Sequence, residues 1–179
     1  MNWYNEPPSW SSQGNIITMQ TGPHTDFWRI TSYGFSRDNG HIYYQSQQGN
    51  FLAEVKVSGQ YATLYDQAGL MVRASESEWI KCGIEFFDGV QHVSAVVTRE
   101  YSDWSLGPTL LDNPNSLWLR LKREGDTVEI TYALDGTNYQ LLRLAYLART
   151  ETLDIGLMCA SPEGPGFSVA FENFVVQSK

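Results

Sequence analysis

Residues 79–99 read WIKCGIEFFDGVQHVSAVVTR. Ile80, Cys82, Ile84 and Phe86 alternate with Trp79, Lys81, Gly83 and Glu85, the period of two expected of a strand with one buried face. Asp88-Gly89 follows, a dipeptide that tolerates the left-handed backbone of a two-residue hairpin turn. Such a turn pairs Phe87 with Val90. Counting back sets Ile84 against Val93 and Cys82 against Ala95, apolar on apolar, and leaves Glu85 opposite His92 on the non-core face. A slip of one residue would turn every apolar side chain outward, so pattern and turn specify the same register.

The same logic extends in both directions. Phe51, Ala53, Val55 and Val57 alternate with Leu52, Glu54 and Lys56, and Leu117, Leu119 and Leu121 alternate with Trp118, Arg120 and Lys122. A two-residue turn at Gly125-Asp126 puts Leu121 against Ile130 and Leu119 against Tyr132, and Asp135-Gly136 begins the turn into Tyr139–Leu144. Further strands are expected at Ile16–Gln20, Leu70–Ala74, Leu153–Cys159 and Phe167–Val176. Helical periodicity is nearly absent; Leu141 to Arg149 is a weak candidate that reads equally well as strand and loop. Roughly ten to twelve short strands without helices predict a sandwich or a barrel. No repeat or linker divides the chain, so residues 1–179 are read as one domain. Ile80, Cys82, Ile84, Phe86, Val93, Val97, Leu119, Leu121, Ile155, Leu157, Phe171 and Phe174 are the expected core.

A chain of 179 residues buries roughly 70% of its unfolded surface and needs no staples. Six Trp, ten Tyr and eight Phe suit half-buried pleated surfaces and leave rings for stacking on a ligand. The formal net charge is −8, which repels phosphate backbones and excludes nucleic acid as an expected partner. Cys82 and Cys159 lie in apolar runs and are expected as free buried thiols of a reducing compartment. The start of the chain lacks a secretory pattern, and no run approaches the roughly 20 apolar residues of a membrane span. Neither a membrane partner nor a cofactor is expected, and the cytoplasm is the expected location.

Several blocks carry a family resemblance. Trp3, Asn5-Glu6-Pro7, Trp10, Asp26-Phe27-Trp28-Arg29 and Tyr33-Gly34 open it. Tyr65-Asp66-Gln67-Ala68-Gly69-Leu70-Met71, Trp79-Ile80-Lys81, Gly83-Ile84-Glu85 and Asp88-Gly89 continue it, with Ser94, Val96-Val97-Thr98 and Ser102-Asp103-Trp104-Ser105 after them. Over nearly its whole length the chain resembles a family of unknown biochemical function that includes the regulation-of-enolase type proteins. The resemblance implies an all-β, concanavalin A-like jelly-roll β-sandwich of two antiparallel sheets, the fold of many lectins and glucanases. It implies little about activity.

Glycosidic cleavage usually takes two carboxylates, about 5–5.5 Å apart for retention or about 6.5–9.5 Å for inversion. Glucanases of similar fold carry theirs as Glu-x-Asp-x-x-Glu, or with one extra residue, and no such string occurs here. Asp88 is explained by its turn, and Glu76 and Glu78 by a solvated loop. His24, His41 and His92 have no cage-like spacing. Asp112, Asn113 and Asn115 offer oxygen ligands that Pro114 splits, so no metal is predicted.

What stands out is the polar face of the central hairpin. Trp79, Lys81 and Glu85 share it with His92, Ser94 and Thr98, and Arg73 and Gln67 from the preceding strand join them. Ser102, Asp103 and Trp104 are expected as a loop at its rim. A ring plane with charged and amide groups suits a sugar, which presents an apolar face and a rim of hydroxyls. A lectin-like carbohydrate-binding protein is therefore the leading expectation, with binding favoured over catalysis. A sugar-active hydrolase or isomerase using Glu85 and His92 as an acid/base couple is the second reading, and an intracellular protein-interaction module the third.

Overall fold

The computed structural model describes residues 1–110 and 116–179. Among these are sixteen strands and no helix. The first half of the chain forms β1 (Asn2–Tyr4), β2 (Ser9–Gln13), β3 (Ile16–Gln20), β4 (Phe27–Arg29), β5 (Ser36–Asp38), β6 (His41–Gln48), β7 (Phe51–Gly59) and β8 (Gln67–Ser75). The second half forms β9 (Glu78–Phe87), β10 (Val90–Arg99), β11 (Tyr101–Leu110), β12 (Leu117–Glu124), β13 (Thr127–Ala133), β14 (Gln140–Tyr146), β15 (Thr152–Ala160) and β16 (Ser168–Ser178).

Two antiparallel seven-stranded sheets result. The front sheet runs β1-β6-β15-β8-β9-β10-β11, and the back sheet runs β14-β13-β12-β7-β16-β3-β2. The central hairpin has the register its alternation demands: Phe87 pairs with Val90, Ile84 with Val93 and Cys82 with Ala95. The Gly125-Asp126 turn likewise sets Leu121 against Ile130 and Leu119 against Tyr132. Inward residues of both sheets form one core, in which Val55, Val57, Leu70, Ile80, Ile84, Leu119, Leu121, Leu157 and Phe171 are all but inaccessible.

Two expectations need correction, while the weak helical candidate at 141–149 is the strand and loop that it reads as equally well. Phe86 and Phe174 pack against the core but stay partly accessible. For Phe174 the cause is a register break between Glu172 and Val175, where Asn173 takes a positive φ of 56° and shifts the alternation. Ser102, Asp103 and Trp104 are not a loop. Glu100 turns the chain with φ 64°, so that Arg99 pairs with Tyr101 and Val96 with Trp104. Asp112, Asn113 and Asn115 lie outside the described residues.

Cys82 and Cys159 are both free and buried. Desolvation pushes the Cys82 thiol up to about 12 and raises Cys159 as well. Thiolate is the reactive form, so neither should label with maleimide in the native protein and both should label on unfolding. Prompt native labelling of either would contradict their burial.

Candidate functional site

The outer face of the front sheet is not simply wet. The β4–β5 ribbon lies across it and buries Phe27 and Trp28 against Ile42, Met71, Trp79, Val96 and Met158, a second apolar cluster apart from the main core. The ribbon is fastened by polar groups. The backbone N–H of Arg29 donates to Ser102 Oγ at 2.9 Å, and Ser102 Oγ is 2.9 Å from Thr98 Oγ1. Arg73 forms a two-pronged pair with Asp38 at 2.7 and 2.8 Å, and the Tyr4 hydroxyl donates to the same carboxylate at 2.6 Å. His41 Nε2 accepts the Gly22 N–H at 2.9 Å while Nδ1 sits 2.7 Å from the Asn5 carbonyl oxygen, which fixes the start of the crossing segment with a neutral ring.

Beside the ribbon the face opens into a cleft of about 90 Å³. Its floor is polar: Asp26, Gln67, Lys81 and Glu85. Its wall is aromatic, made by Trp28, Tyr33, Phe35, Tyr65 and Trp104, and Arg37 and Glu163 stand at the mouth. Trp28 meets Tyr33 edge-on at 5.7 Å, Tyr33 stacks on Phe35 at 5.6 Å, and Tyr65 meets Trp104 edge-on at 6.2 Å. The Tyr33 and Tyr65 hydroxyls lie 3.1 Å apart across the opening, and this bond is the main reason Tyr65 is pushed up to about 12. The ribbon's tip bends sharply, with Ile30 at φ 61° and Ser32 at φ 66°. A β-branched residue in that region costs roughly 1–3 kcal/mol, strain that characteristically collects at functional sites.

Glu85 organises the floor. Only 7% exposed, it accepts the Ser94 hydroxyl at 2.6 Å and the Trp104 indole N–H at 2.8 Å, both on Oε2. Oε1 accepts no hydrogen bond among the described residues. Burial raises the Glu85 pKa, the Lys81 charge and the two donors pull it back, and Asp26 pushes it further up. Both donors occupy Oε2, which leaves Oε1 as the oxygen that carries the proton in the neutral form. Lys81, 4% exposed, donates to the Phe27 carbonyl at 2.7 Å and reaches Asp26 Oδ1 at 3.4 Å. One of its three N–H groups is left over.

Of the residues expected at the site, Gln67, Lys81, Glu85 and Trp104 line this cleft, and Ser94 stands behind Glu85. The others lie elsewhere. Trp79 is 1% exposed and part of the second apolar cluster, so its ring is closed to a ligand. Thr98 and Ser102 hold the ribbon, Arg73 is committed to Asp38, and Asp103 pairs with Arg143 at 3.2 Å outside the cleft. His92 does stand opposite Glu85 in register. Its ring, however, packs edge-on to Phe87 at 6.2 Å, its Nδ1 is 3.4 Å from Thr109 Oγ1, and Glu85 spends its bonds on Ser94 and Trp104. No hydrogen bond joins the two among the described residues. Asp66 is also structural: its carboxylate accepts the Ala62 and Thr63 N–H groups and the Ser161 hydroxyl. Residues absent from the expected site are Asp26, Trp28, Tyr33, Phe35, Arg37, Tyr65 and Glu163.

A concanavalin A-like sandwich with a covered sheet face and an aromatic-walled cleft is the class these features define. The chain belongs to the family described as "Protein of unknown function (DUF1349)", which matches residues 3–179. It is 38% identical over 172 residues to "Regulation of enolase protein 1" of Saccharomyces cerevisiae, covering 96% of this chain and 86% of that one. A crystal structure described as a functionally unknown protein from Saccharomyces cerevisiae superposes with a TM-score of 0.95 at 36% identity, covering 99% of this chain and 96% of that one. The carbohydrate binding module CBM66 from Bacillus subtilis shares the fold, with a TM-score of 0.62 at 14% identity over 98% of this chain and 95% of that one.

Proposed function

We propose that the cleft binds one unit of a carbohydrate. The observation that carries this is the pairing of an aromatic wall with Glu85, Lys81 and Gln67 on a nearly closed floor. A sugar's C–H face suits the rings. Its hydroxyls suit a carboxyl oxygen, an ammonium N–H and an amide already held in place by other bonds. The cleft's size favours a single ring or chain end over a long glycan lying flat. The full-length likeness to a carbohydrate binding module supports a sugar ligand by analogy of fold. Two buried free thiols agree with residence in a reducing compartment such as the cytoplasm.

Trp104→Ala makes a poor test, because Trp104 packs on Phe87 at 5.3 Å and supports buried Glu85. Tyr33→Ala is cleaner, since Tyr33 is 52% exposed. With a sugar found by glycan array, calorimetry should show binding weakened by about 1 kcal/mol in Tyr33→Ala and about 2 kcal/mol in Glu85→Gln. Normal affinity in both variants would place the ligand elsewhere.

A specific arrangement favours a second reading, a sugar-active enzyme: Glu85, whose pKa burial raises, lines the cleft with Asp26 as a second carboxylate on the same floor. In that case Glu85→Gln abolishes turnover while binding survives.

A further inference from the structure

At the far end of β15 from the cleft, three connections meet: Gly49-Asn50 between β6 and β7, Gly125 between β12 and β13, and Thr150 before β15. Thr152 starts β15 opposite Gln48, whereas Ala160 ends it opposite Gln67 of the cleft. Nine strand residues separate the two places by roughly 25–30 Å. Between the connections lies an open cavity of about 540 Å³ lined by Arg123 and Arg149.

Arg123 is 3% exposed. Its Nε donates to the Gly125 carbonyl at 3.2 Å, Nη1 to Gly49 at 3.1 Å, and Nη2 to Thr150. All three acceptors are neutral, and two of its five N–H groups remain. No carboxylate among the described residues lies within 4 Å of Arg123 or Arg149; Glu151, on the same rim, pairs with neither. The arginines that do pair with a carboxylate among the described residues, Arg29, Arg73, Arg120 and Arg143, are all more exposed than Arg123. Burial and the neighbouring Arg149 charge both disfavour the Arg123 cation. A chain of net charge −8 thus sets two cations side by side over a cavity, neither of them in an ion pair among the described residues. Holding a buried charge unpaired is costly, and a ligand that supplies the counter-charge recovers that cost.

We propose that this rim is a second binding site, independent of the cleft, for a tetrahedral oxyanion such as phosphate, free or carried by a small molecule. Arg123, fixed by its three carbonyls, presents its remaining N–H groups, and Arg149 closes over the anion from the rim. Guanidinium groups match the paired oxygens of phosphate in spacing and plane. The cavity is larger than one phosphate needs, which leaves room for an organic part.

The test uses the intact chain, with inorganic phosphate and glycerol 3-phosphate as probes against chloride at matched ionic strength. Phosphate should raise the thermal midpoint in a saturable way and shift amide NMR signals at Gly49, Gly125 and Thr150. Arg149→Ala should melt like the parent in chloride and bind phosphate about tenfold more weakly, the loss of one charge-assisted contact. A stronger response to glycerol 3-phosphate assigns the site to a phosphorylated small molecule, and an equal one to the free ion. An unchanged midpoint in the parent, or an equal phosphate response in Arg149→Ala, overturns the proposal.

Discussion

Lys81→Met should cost this protein about 3–5 kcal/mol of stability, the usual result of removing one partner from a buried ion pair. At the roughly 2–4 °C per kcal/mol expected of a chain this long, the thermal midpoint should fall by about 6–20 °C. Methionine keeps the volume and the flexibility of the stem, so the loss reports on charge and hydrogen bonding more than on packing. The Asp26 carboxylate, whose side chain is 11% exposed, would lose its cation, and the Phe27 carbonyl would lose its 2.7 Å donor. Both belong to the ribbon that roofs the second apolar cluster, so the ribbon should loosen first.

The deficit should also depend on pH, and its sign follows from Glu85. That group's pKa is raised in the fold, and Lys81 is the charge that restrains the rise. A raised carboxyl contributes stability fully below its unfolded value and loses it as pH climbs through the folded one. Without Lys81 the Glu85 pKa rises further, so more stability is lost near neutrality. The gap between parent and variant should therefore narrow as pH falls from 7 toward about 4. Paired melts across that range check it. A gap that is constant or widens in acid would mean that Lys81 does not act through the charge of Glu85.

The hairpin at 79–99 was legible because its two signals are local and agree: alternation of apolar residues and a turn dipeptide that fixes the count. The cleft was less so. Alternation divides a strand into an inner and an outer set but says nothing of what crosses the outer set. Here a ribbon about seventy residues earlier than Ser102 does the crossing, tied to it through the Arg29 N–H and to the sheet by Lys81 and Arg73. Once Phe27 and Trp28 cover the sheet, Trp79 and Thr98 change from exposed candidates to buried supports.

A sequence signal for that cover did exist. Leu70-Met71-Val72, Ala95-Val96-Val97 and Leu157-Met158-Cys159 are apolar on both alternations, the mark of strands buried on two faces. Met71, Val96 and Met158 prove to be the underside of the second cluster. Tyr33 and Phe35 carried no comparable signal. Their role depends on the left-handed turns at Ile30, Ser32 and Gly34, and nothing in the side chains of Ile30 or Ser32 calls for such a backbone.

Gly69 and Gly83, at the centre of the front sheet, carry the other large effect. Gly83→Ala should lower stability by at least about 3 kcal/mol, the upper end of what an overpacked core methyl costs. A Cβ built on Gly83 would stand 2.0 Å from the Ala68 carbonyl oxygen and 2.8 Å from Gly69 Cα; one built on Gly69 would stand 1.9 Å from the Cys82 carbonyl oxygen. Gly69 and Gly83 are register partners. The obstacles are backbone atoms of a strand hydrogen-bonded on both sides, so no rotamer change relieves the clash. Stiffening the unfolded chain returns only about 0.4–1 kcal/mol. Gly107→Ala is the control: its worst contact, at 2.6 Å, is the Cδ1 end of the flexible Leu142 side chain, so its loss should be clearly smaller. If the two variants melt alike, the close approach at Gly83 is not what constrains the sheet. If Gly83→Ala melts early as expected, the fraction that folds in the cold should also bind the cleft's ligand poorly. Gly83 sits between Lys81 and Glu85 on the same strand face, and a shift of β9 away from β8 carries both off the floor that Gln67 shares with them.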